Sequence, residues 1–285
     1  MGAGNPSAHS IGDALAWAIG RLNDSDSPRV DAELLLAHVL GRPRSYLFAW
    51  PERALLAAEW AAFEALVGRR ALGEPVAYLV GTRGFFGLDL AVSPSVLIPR
   101  PETELLVEAT LAHLPPGPCA VADLGTGSGA IALAIADQRP DAEVTAVDAS
   151  PEALAVARAN AGRLGLAHVR FLQGSWCAAL DADGRFDAII SNPPYIREDD
   201  PHLARGDVRF EPAMALASGA DGLDAIRAII ACAPVHLKPG GWLLFEHGYD
   251  QAEGVAALMR EACFTAVESL ADLQGHDRVT LGRFL

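Results

Sequence analysis

The chain contains Phe186-Asp187-Ala188-Ile189-Ile190-Ser191, followed directly by Asn192-Pro193-Pro194-Tyr195. The first six residues form an apolar run that predicts a buried parallel strand. In an open α/β sheet, ligands bind beyond the carboxyl ends of the strands, so the next four residues stand where a site is expected. This stretch therefore predicts both the type of sheet and the position of a site on it.

Asn192-Pro193-Pro194-Tyr195 combines residue types that suit the binding of a planar amino group. Proline has a fixed φ and no N–H, and it drives the preceding residue towards an extended backbone, so the segment is stiff and rich in carbonyl acceptors. Asn192 adds a side-chain acceptor, and the ring of Tyr195 can stack on the face of the bound group. The alternative is a Pro-Pro turn that only ends a strand, with Asn192 in a local hydrogen bond.

The chain around this stretch alternates between strand and helix patterns. Strands are predicted at 119–124, 143–148, 169–173, 186–191, 241–246, 266–270 and 279–283, and helices near 129–137, 151–164, 222–237 and 251–262. This alternation predicts an α/β fold with a doubly wound, mostly parallel Rossmann-like sheet. The last strand follows a short turn at 274–277, so we expect it to be antiparallel.

The first part of the chain has a helical pattern from Ser10 to about Leu72, with helices expected at 31–40 and 52–67. Between Tyr78 and Pro99, glycines punctuate a β-rich stretch that favours a hairpin. We therefore predict three regions. They are a small N-terminal helical bundle at 1–75, a β-hairpin linker at 76–98 and the α/β domain at 99–285.

Composition limits the classes of function. Hydrophobic residues make up 51% of the 285 residues, which is enough for a large core, and the formal net charge of -14 argues against binding through nucleic-acid phosphates. The four cysteines have no Cys-x-x-Cys spacing, which favours buried free thiols in a reducing compartment over a disulfide or metal framework. No secretory signal is visible, and every long apolar stretch is shorter than the ~20 residues of a membrane span. We expect a cytoplasmic protein without a membrane or metal partner.

The loop after the strand at 119–124 is rich in glycine. It reads Asp123-Leu124-Gly125-Thr126-Gly127-Ser128-Gly129-Ala130. Glycines allow a tight turn and a close ligand approach, and the following helix N-terminus favours an anion. Asp148 ends the next strand, where a carboxylate can accept hydrogen bonds from a ribose. The loop alone suits either NAD or S-adenosylmethionine, since Gly125, Gly127 and Ala130 also fit the relaxed dinucleotide fingerprint.

The combination of this loop with the segment at Asn192 favours methyl transfer. The lone pair of an amide or arylamine nitrogen is delocalised, and binding both N–H groups can direct it at an activated methyl group. Positioning of this kind can supply up to about 7–11 kcal/mol of the barrier, so no strong base is required. Hydride transfer to or from NAD has no evident need for such a segment.

The sequence resembles the protein-(glutamine-N5) methyltransferases that modify peptide chain release factors. The resemblance covers nearly the whole chain, and its most specific stretches are Ile98-Pro99-Arg100-Pro101-Glu102-Thr103-Glu104 and Gly206-Asp207-Val208-Arg209-Phe210-Glu211-Pro212. The Asn-Pro-Pro-Tyr stretch is less specific, because amino-methylating DNA and RNA enzymes share it.

The resemblance implies a role for each candidate residue. Gly125, Thr126, Gly127, Ser128 and Gly129 would line the methionine and ribose of S-adenosylmethionine, Asp148 would bind the ribose, and Trp176 would pack near the adenine. Asn192 would stand next to the cofactor as well, and with Pro193, Pro194 and Tyr195 it would bind the glutamine of the Gly-Gly-Gln tripeptide in a bacterial release factor. The helical domain would contact the factor elsewhere, and the α/β domain would be the methyltransferase.

Two positions depart from the family pattern. Gly84 stands where an acidic residue is usual, and Ser175 replaces the usual Asp before the Trp. Since a hydroxyl accepts a hydrogen bond without charge, we expect Ser175 to weaken cofactor binding without abolishing function. Three alternatives remain from the residues themselves: an adenine or guanine amino methyltransferase, a non-catalytic protein that binds release factors, and an NAD oxidoreductase.

Overall fold

The computed structural model describes residues 9–285. The chain divides into two compact units, Met1–Gly81 and Thr82–Leu285. Among the described residues, no helix is both long and apolar enough to cross a membrane.

The first unit is helical. Its helices are α1 (Ile11–Arg21), α2 (Pro28–Leu40), α3 (Arg44–Ala49), α4 (Ala57–Ala71) and α5 (Val76–Val80). Helix α1 begins at Ile11 because the Ser10 side chain accepts a hydrogen bond from the Asp13 N–H at 3.1 Å. Helix α2 ends before Gly41, whose φ of +58° is in the left-handed region that glycine adopts readily. The helix expected from residue 52 begins at Ala57 instead, because Ala54 forms a β-bridge with Ser10.

The second unit begins with a hairpin and continues as an α/β sandwich. Its elements are β1 (Thr82–Phe85), β2 (Leu88–Ala91), α6 (Glu104–His113), β3 (Cys119–Leu124), α7 (Ala130–Gln138), β4 (Ala142–Asp148), α8 (Pro151–Leu164), β5 (Arg170–Gln173), β6 (Phe186–Ser191), α9 (Asp224–Cys232), β7 (Leu237–Glu246), α10 (Ala252–Glu261), β8 (Thr265–Ala271) and β9 (Asp277–Arg283). Short 3₁₀ turns lie at Pro101–Thr103, Trp176–Ala179, Pro201–Ala204, Asp207–Phe210, Ala213–Ala215 and Ala233–His236.

The sheet has seven strands in the order β5-β4-β3-β6-β7-β9-β8. Strands β3 to β7 pair in parallel, and β9 is antiparallel to both of its neighbours. Both the mostly parallel sheet and the antiparallel last strand are as predicted. The chain order reverses between β3 and β6, so their carboxyl ends form the crevice where an open α/β sheet binds ligands.

Two hydrophobic cores cover the faces of the sheet. Helices α6, α7 and α8 pack on one face, and α9 and α10 pack on the other. Successive strand residues alternate between the two cores, as Ile189 and Ile190 do. The helix predicted at 222–237 ends at Cys232 and continues as a 3₁₀ turn, because Pro234 has no N–H for the helical hydrogen bond.

Candidate active site

A cavity of about 310 Å³ lies at the carboxyl ends of the parallel strands. Its lining includes residues 125–128 after β3, 148–150 at the end of β4, and 174–176 after β5. Asn192 and Pro194 line it after β6. The structure thus brings the glycine-rich loop, Asp148, Trp176 and Asn192 together around one space, as expected from the strand order.

The glycine-rich loop curls against the end of β4. Gly125 has φ +80°, and its N–H donates to the Val147 carbonyl at 2.8 Å. The Gly127 N–H donates to Asp148 Oδ2 at 2.8 Å, and the Ser150 N–H donates to Oδ1 at 2.9 Å. Asp148 therefore fixes the loop as well as facing the cavity. A carboxylate has about four acceptor positions, so it retains acceptor capacity for a ligand.

Gly129 lies at the start of α7, and it is not part of the cavity lining. A Cβ there would stand 3.0 Å from Leu133 Cδ1 and 3.2 Å from Ala157 Cβ. Glycine at this position allows α7 to pack closely against α8. Thr126 and Ser128, in contrast, line the cavity.

A buried carboxylate supports the loop from below. Asp123 Oδ2 accepts from the Thr126 hydroxyl at 2.6 Å and from the Ala132 N–H at 3.2 Å. Its Oδ1 is buried without a hydrogen-bond partner among residues 9–285, and burial raises the pKa of Asp123 to about 7. The signal in the sequence was an Asp at the end of an apolar strand, but nothing in the pattern revealed its full burial.

Trp176 lies across the start of the loop. Its φ is +49°, and its Cζ3 is 3.2 Å from the position that a Cβ on Gly125 would take. The following residue, Cys177, forms a disulfide with Cys232 at the end of α9. The expectation of buried free thiols is wrong for these two residues. Cys119 is free and buried as expected, whereas Cys263 is free but exposed. Wide sequence spacing concealed a pair whose Cα atoms are 6.0 Å apart.

Asn192 and Tyr195 are held by side chains from distant parts of the chain. Asn192 Nδ2 donates to Thr103 Oγ1 at 3.2 Å, and the Tyr195 hydroxyl donates to Glu246 Oε1 at 3.2 Å. Gln251 Nε2 donates to the Tyr195 carbonyl at 2.9 Å. Pro193 is buried, and neither it nor Tyr195 is part of the cavity lining. The predicted segment is therefore rigid, with Asn192 and Pro194 at the cavity itself.

Glu246 is 1% exposed at the end of β7. Burial raises its pKa to about 6, against the opposing effect of hydrogen bonds from Thr103 and Tyr195. Burial also raises the pKa of Tyr195, so its hydroxyl stays protonated and donates.

The two most specific sequence stretches form another wall of the cavity. The buried Glu211 carboxylate pairs with Arg100 and accepts from the Ile98 N–H at 3.1 Å. Pro99 and Arg100 line the cavity with Pro212 and Met214. Of the two positions that depart from the family pattern, Ser175 lines the cavity, and Gly84 lies on β1 outside that lining.

Two solved structures of methyltransferases have a similar fold. A methyltransferase from Pyrococcus furiosus superposes with a TM-score of 0.53 at 21% identity, covering 76% of this chain and 96% of that one. A 16S rRNA N2 methyltransferase from T. thermophilus gives a TM-score of 0.53 at 24% identity, covering 72% and 50% of the two chains. The fold is therefore that of the methyltransferases, which agrees with a cavity at the switch point of the sheet.

Sequence similarity specifies the family. Residues 13–81 match the PrmC N-terminal domain, and residues 101–210 match the methyltransferase small domain. The release factor glutamine methyltransferase of Xylella fastidiosa is 56% identical over 256 residues, covering 90% of this chain and 93% of the relative. That of Salmonella typhimurium is 51% identical over 270 residues, covering 95% and 97%. The chain belongs to the release factor glutamine methyltransferases.

Proposed function

We propose that this protein transfers a methyl group from S-adenosylmethionine to the side-chain amide nitrogen of the glutamine in the Gly-Gly-Gln tripeptide of bacterial release factors. The observation that carries the proposal is the position of Asn192, whose side chain is fixed by Thr103 at the edge of the cavity beside the glycine-rich loop. Relatives that are 51% and 56% identical to this chain are named release factor glutamine methyltransferases. Membership in that family supports both the reaction and the substrate.

The lining of the cavity supports a proposed position for the cofactor. In this proposal, Gly125, Thr126, Gly127 and Ser128 face the methionine and ribose, and Gly129 supports them from behind. Asp148 accepts hydrogen bonds from the ribose hydroxyls. It uses the carboxylate lone pairs that are not occupied by the N–H groups of Gly127 and Ser150. Trp176 packs near the adenine, with Ser175 next to it in the lining.

We infer that the Asn-Pro-Pro-Tyr segment binds the substrate amide. Asn192 Oδ1 and the Pro193 carbonyl accept the two N–H groups of the glutamine –NH2, Pro194 stiffens the segment, and the Tyr195 ring packs against the amide. The bond to Glu246 fixes the direction of that ring. S-adenosylmethionine supplies an activated methyl group, and the protein supplies alignment. The amide loses one proton to solvent as the nitrogen–carbon bond forms and the carbon–sulfur bond breaks.

We propose further that residues 1–75 form a recognition domain for the release factor, that 76–98 link it to the methyltransferase domain at 99–285, and that the protein works in the cytoplasm. The match of residues 13–81 to a domain of this family supports the first part, and a substrate that acts in translation supports the last.

The Cys177–Cys232 disulfide is not favoured by a reducing compartment. Counting free thiols after acid trapping in intact cells tests the compartment, because a cytoplasmic protein has all four thiols reduced.

A labelled-transfer assay tests the function. Purified release factor incubated with the protein and methyl-labelled S-adenosylmethionine gains label, and a release factor with that glutamine changed to Ala does not. Asn192→Ala removes one acceptor, so we expect a rate lower by at least about 100-fold, in the range found for single groups that act on the transition state. Persistent label on the Ala-substituted factor, or transfer to DNA or RNA under the same conditions, would refute the proposal.

A further inference from the structure

The side-chain amide of Gln251 is held by backbone groups at both of its polar atoms. Gln251 precedes α10, and its Oε1 accepts from the Gly248 N–H at 2.8 Å. Its Nε2 donates to the Tyr195 carbonyl at 2.9 Å and to the Asp221 carbonyl at 3.3 Å. Since a backbone N–H only donates and a carbonyl only accepts, these partners fix which way the amide faces. The –NH2 group therefore bridges the last residue of the Asn-Pro-Pro-Tyr segment and the loop before α9.

Gly222 lies against the same carbonyl. Its φ is +79°, and a Cβ there would stand 2.2 Å from the Tyr195 carbonyl oxygen and 2.6 Å from Gln251 Nε2. Glycine therefore allows the loop to approach this closely. The next residue of the segment's chain, Ile196, is held as well, since its N–H donates to the Leu216 carbonyl at 2.9 Å. The end of the segment is thus fixed both by packing and by hydrogen bonds.

Displacement of the Tyr195 carbonyl would reach Asn192 through a stiff backbone. Each of the two prolines in the segment fixes its own φ, and each restricts the residue before it, so few torsions can absorb a movement. Gln251 is not part of the cavity lining, whereas Asn192 and Pro194 are. The Asn-Pro-Pro-Tyr segment is therefore the connection between Gln251 and the cavity.

We propose that Gln251 is a positioning residue that holds the Asn-Pro-Pro-Tyr segment in the geometry needed to bind the methyl acceptor. It does so by donating to the Tyr195 carbonyl, with Gly222 packed against the same oxygen. This role rests on the proposed function, because the segment would bind the acceptor amide. The role belongs to Nε2 rather than to Oε1, and substitutions can separate the two atoms.

Two substitutions of similar size separate them. Gln251→Glu keeps an acceptor for the Gly248 N–H but places an oxygen against two carbonyls, whereas Gln251→Met removes both kinds of hydrogen bond. At about pH 8, where the new carboxyl is ionised, we expect kcat for methylation of release factor to fall about 100-fold in Gln251→Glu, the effect of a misplacement of about 1 Å. In Gln251→Met, kcat should fall about ten-fold, the effect of one lost hydrogen bond. The Kd of S-adenosylhomocysteine, measured by titration calorimetry, should stay within about three-fold of the wild type in both variants.

Gly222→Ala and Gly219→Ala form a matched pair. The two glycines have φ +79° and +70°, so alanine strains the backbone alike at both positions. At Gly222 the added methyl group meets the Tyr195 carbonyl, but at Gly219 it meets the carboxylate of Asp224, whose exposed side chain can turn away. We expect kcat to fall about ten-fold or more in Gly222→Ala and to stay within about two-fold in Gly219→Ala.

Three results would overturn the proposal. The first is a higher kcat in Gln251→Glu than in Gln251→Met, because a residue that only stabilised the turn at Gly248 would give that order. The second is an equal kcat in Gly222→Ala and Gly219→Ala. The third is a raised cofactor Kd with unchanged kcat in Gln251→Glu.

An NMR readout separates this proposal from the proposed function. The side-chain ¹⁵N–¹H₂ signal of Asn192, assigned by its loss in Asn192→Ala, should shift in Gln251→Glu and stay in place in Gly219→Ala. This shift is expected whether or not release factor is methylated, so a shifted signal without methylation would overturn only the proposed function. An unmoved signal in folded Gln251→Glu would refute the positioning of the segment directly.

Discussion

Replacement of Gly125 by Ala tests the contact between the glycine-rich loop and Trp176. Gly125 has φ +80°, a region that costs an L-residue about 1–2 kcal/mol. The added Cβ would also stand 3.2 Å from Trp176 Cζ3, so the indole must shift. Overpacking of this kind adds about 1–3 kcal/mol, which brings the expected loss of unfolding free energy to about 2–5 kcal/mol.

Gly127→Ala separates the two contributions. Gly127 has φ +56°, but a Cβ there meets nothing within 4 Å, so only the backbone cost of about 1–2 kcal/mol is expected. Urea unfolding followed by circular dichroism measures both losses. Gly125→Ala should also weaken S-adenosylhomocysteine binding about ten-fold or more in calorimetry, because Trp176 lines the cavity.

A double-mutant cycle with Trp176→Ala completes the test. Removal of the indole leaves Gly125→Ala with the backbone cost alone, so the two changes should be coupled by about 1–3 kcal/mol. If Gly125→Ala costs the same with and without the indole, and the same as Gly127→Ala, the contact with Trp176 has no energetic role.

Three further predictions concern stability and substrate recognition. Burial raises the pKa of Asp123 from the ordinary 3.8 to about 7, so the folded state binds the Asp123 proton more tightly than the unfolded state does. The unfolding free energy therefore falls as pH rises from about 4 to about 7, and above that range the stabilisation by this proton is lost. Asp123→Asn should therefore show a shallower fall in urea titrations between about pH 4 and 7, and an identical slope would contradict this assignment. Reduction with dithiothreitol should lower the unfolding free energy of the wild type by about 2–4 kcal/mol, because the disulfide closes a loop with a sequence separation of 55. The double variant Cys177→Ala/Cys232→Ala should not respond, and an equal response of both proteins would contradict a stabilising role of the disulfide. Phe48 and Trp50 are 58% and 53% exposed on the helical unit, and their joint change to Ala should raise KM for intact release factor but not for a free Gly-Gly-Gln peptide; a parallel rise for both would exclude a separate recognition domain.

The sequence predicted most of the elements, because their signals are local. The strands at 119–124 and 186–191 begin and end where the apolar runs do, and glycine and proline mark the turns. Short α3 and α5 were missed, since six and five residues are too few to show a helical period. The start of α4 was misplaced because a pairing with distant Ser10 competes with helix formation.

The candidate site was predicted in its parts but not in its connections. The glycine-rich loop and Asn192 each follow a strand of the predicted parallel sheet, so the sequence places both at the same edge of that sheet. The contact between Thr103 and Asn192 spans 89 positions, and that between Tyr195 and Glu246 spans 51. Such pairs leave no periodic trace in one sequence, and neither does the Cys177–Cys232 disulfide.

The most direct test of the central claim is a crystal structure with S-adenosylhomocysteine and a Gly-Gly-Gln peptide from a release factor. We expect the cofactor between residues 125–128 and Trp176, with the glutamine amide nitrogen within hydrogen-bonding distance of both Asn192 Oδ1 and the Pro193 carbonyl. We also expect that Asn192 Nδ2 still donates to Thr103. A glutamine bound elsewhere, or an Asn192 side chain turned away from the cavity with both ligands present, would contradict the claim.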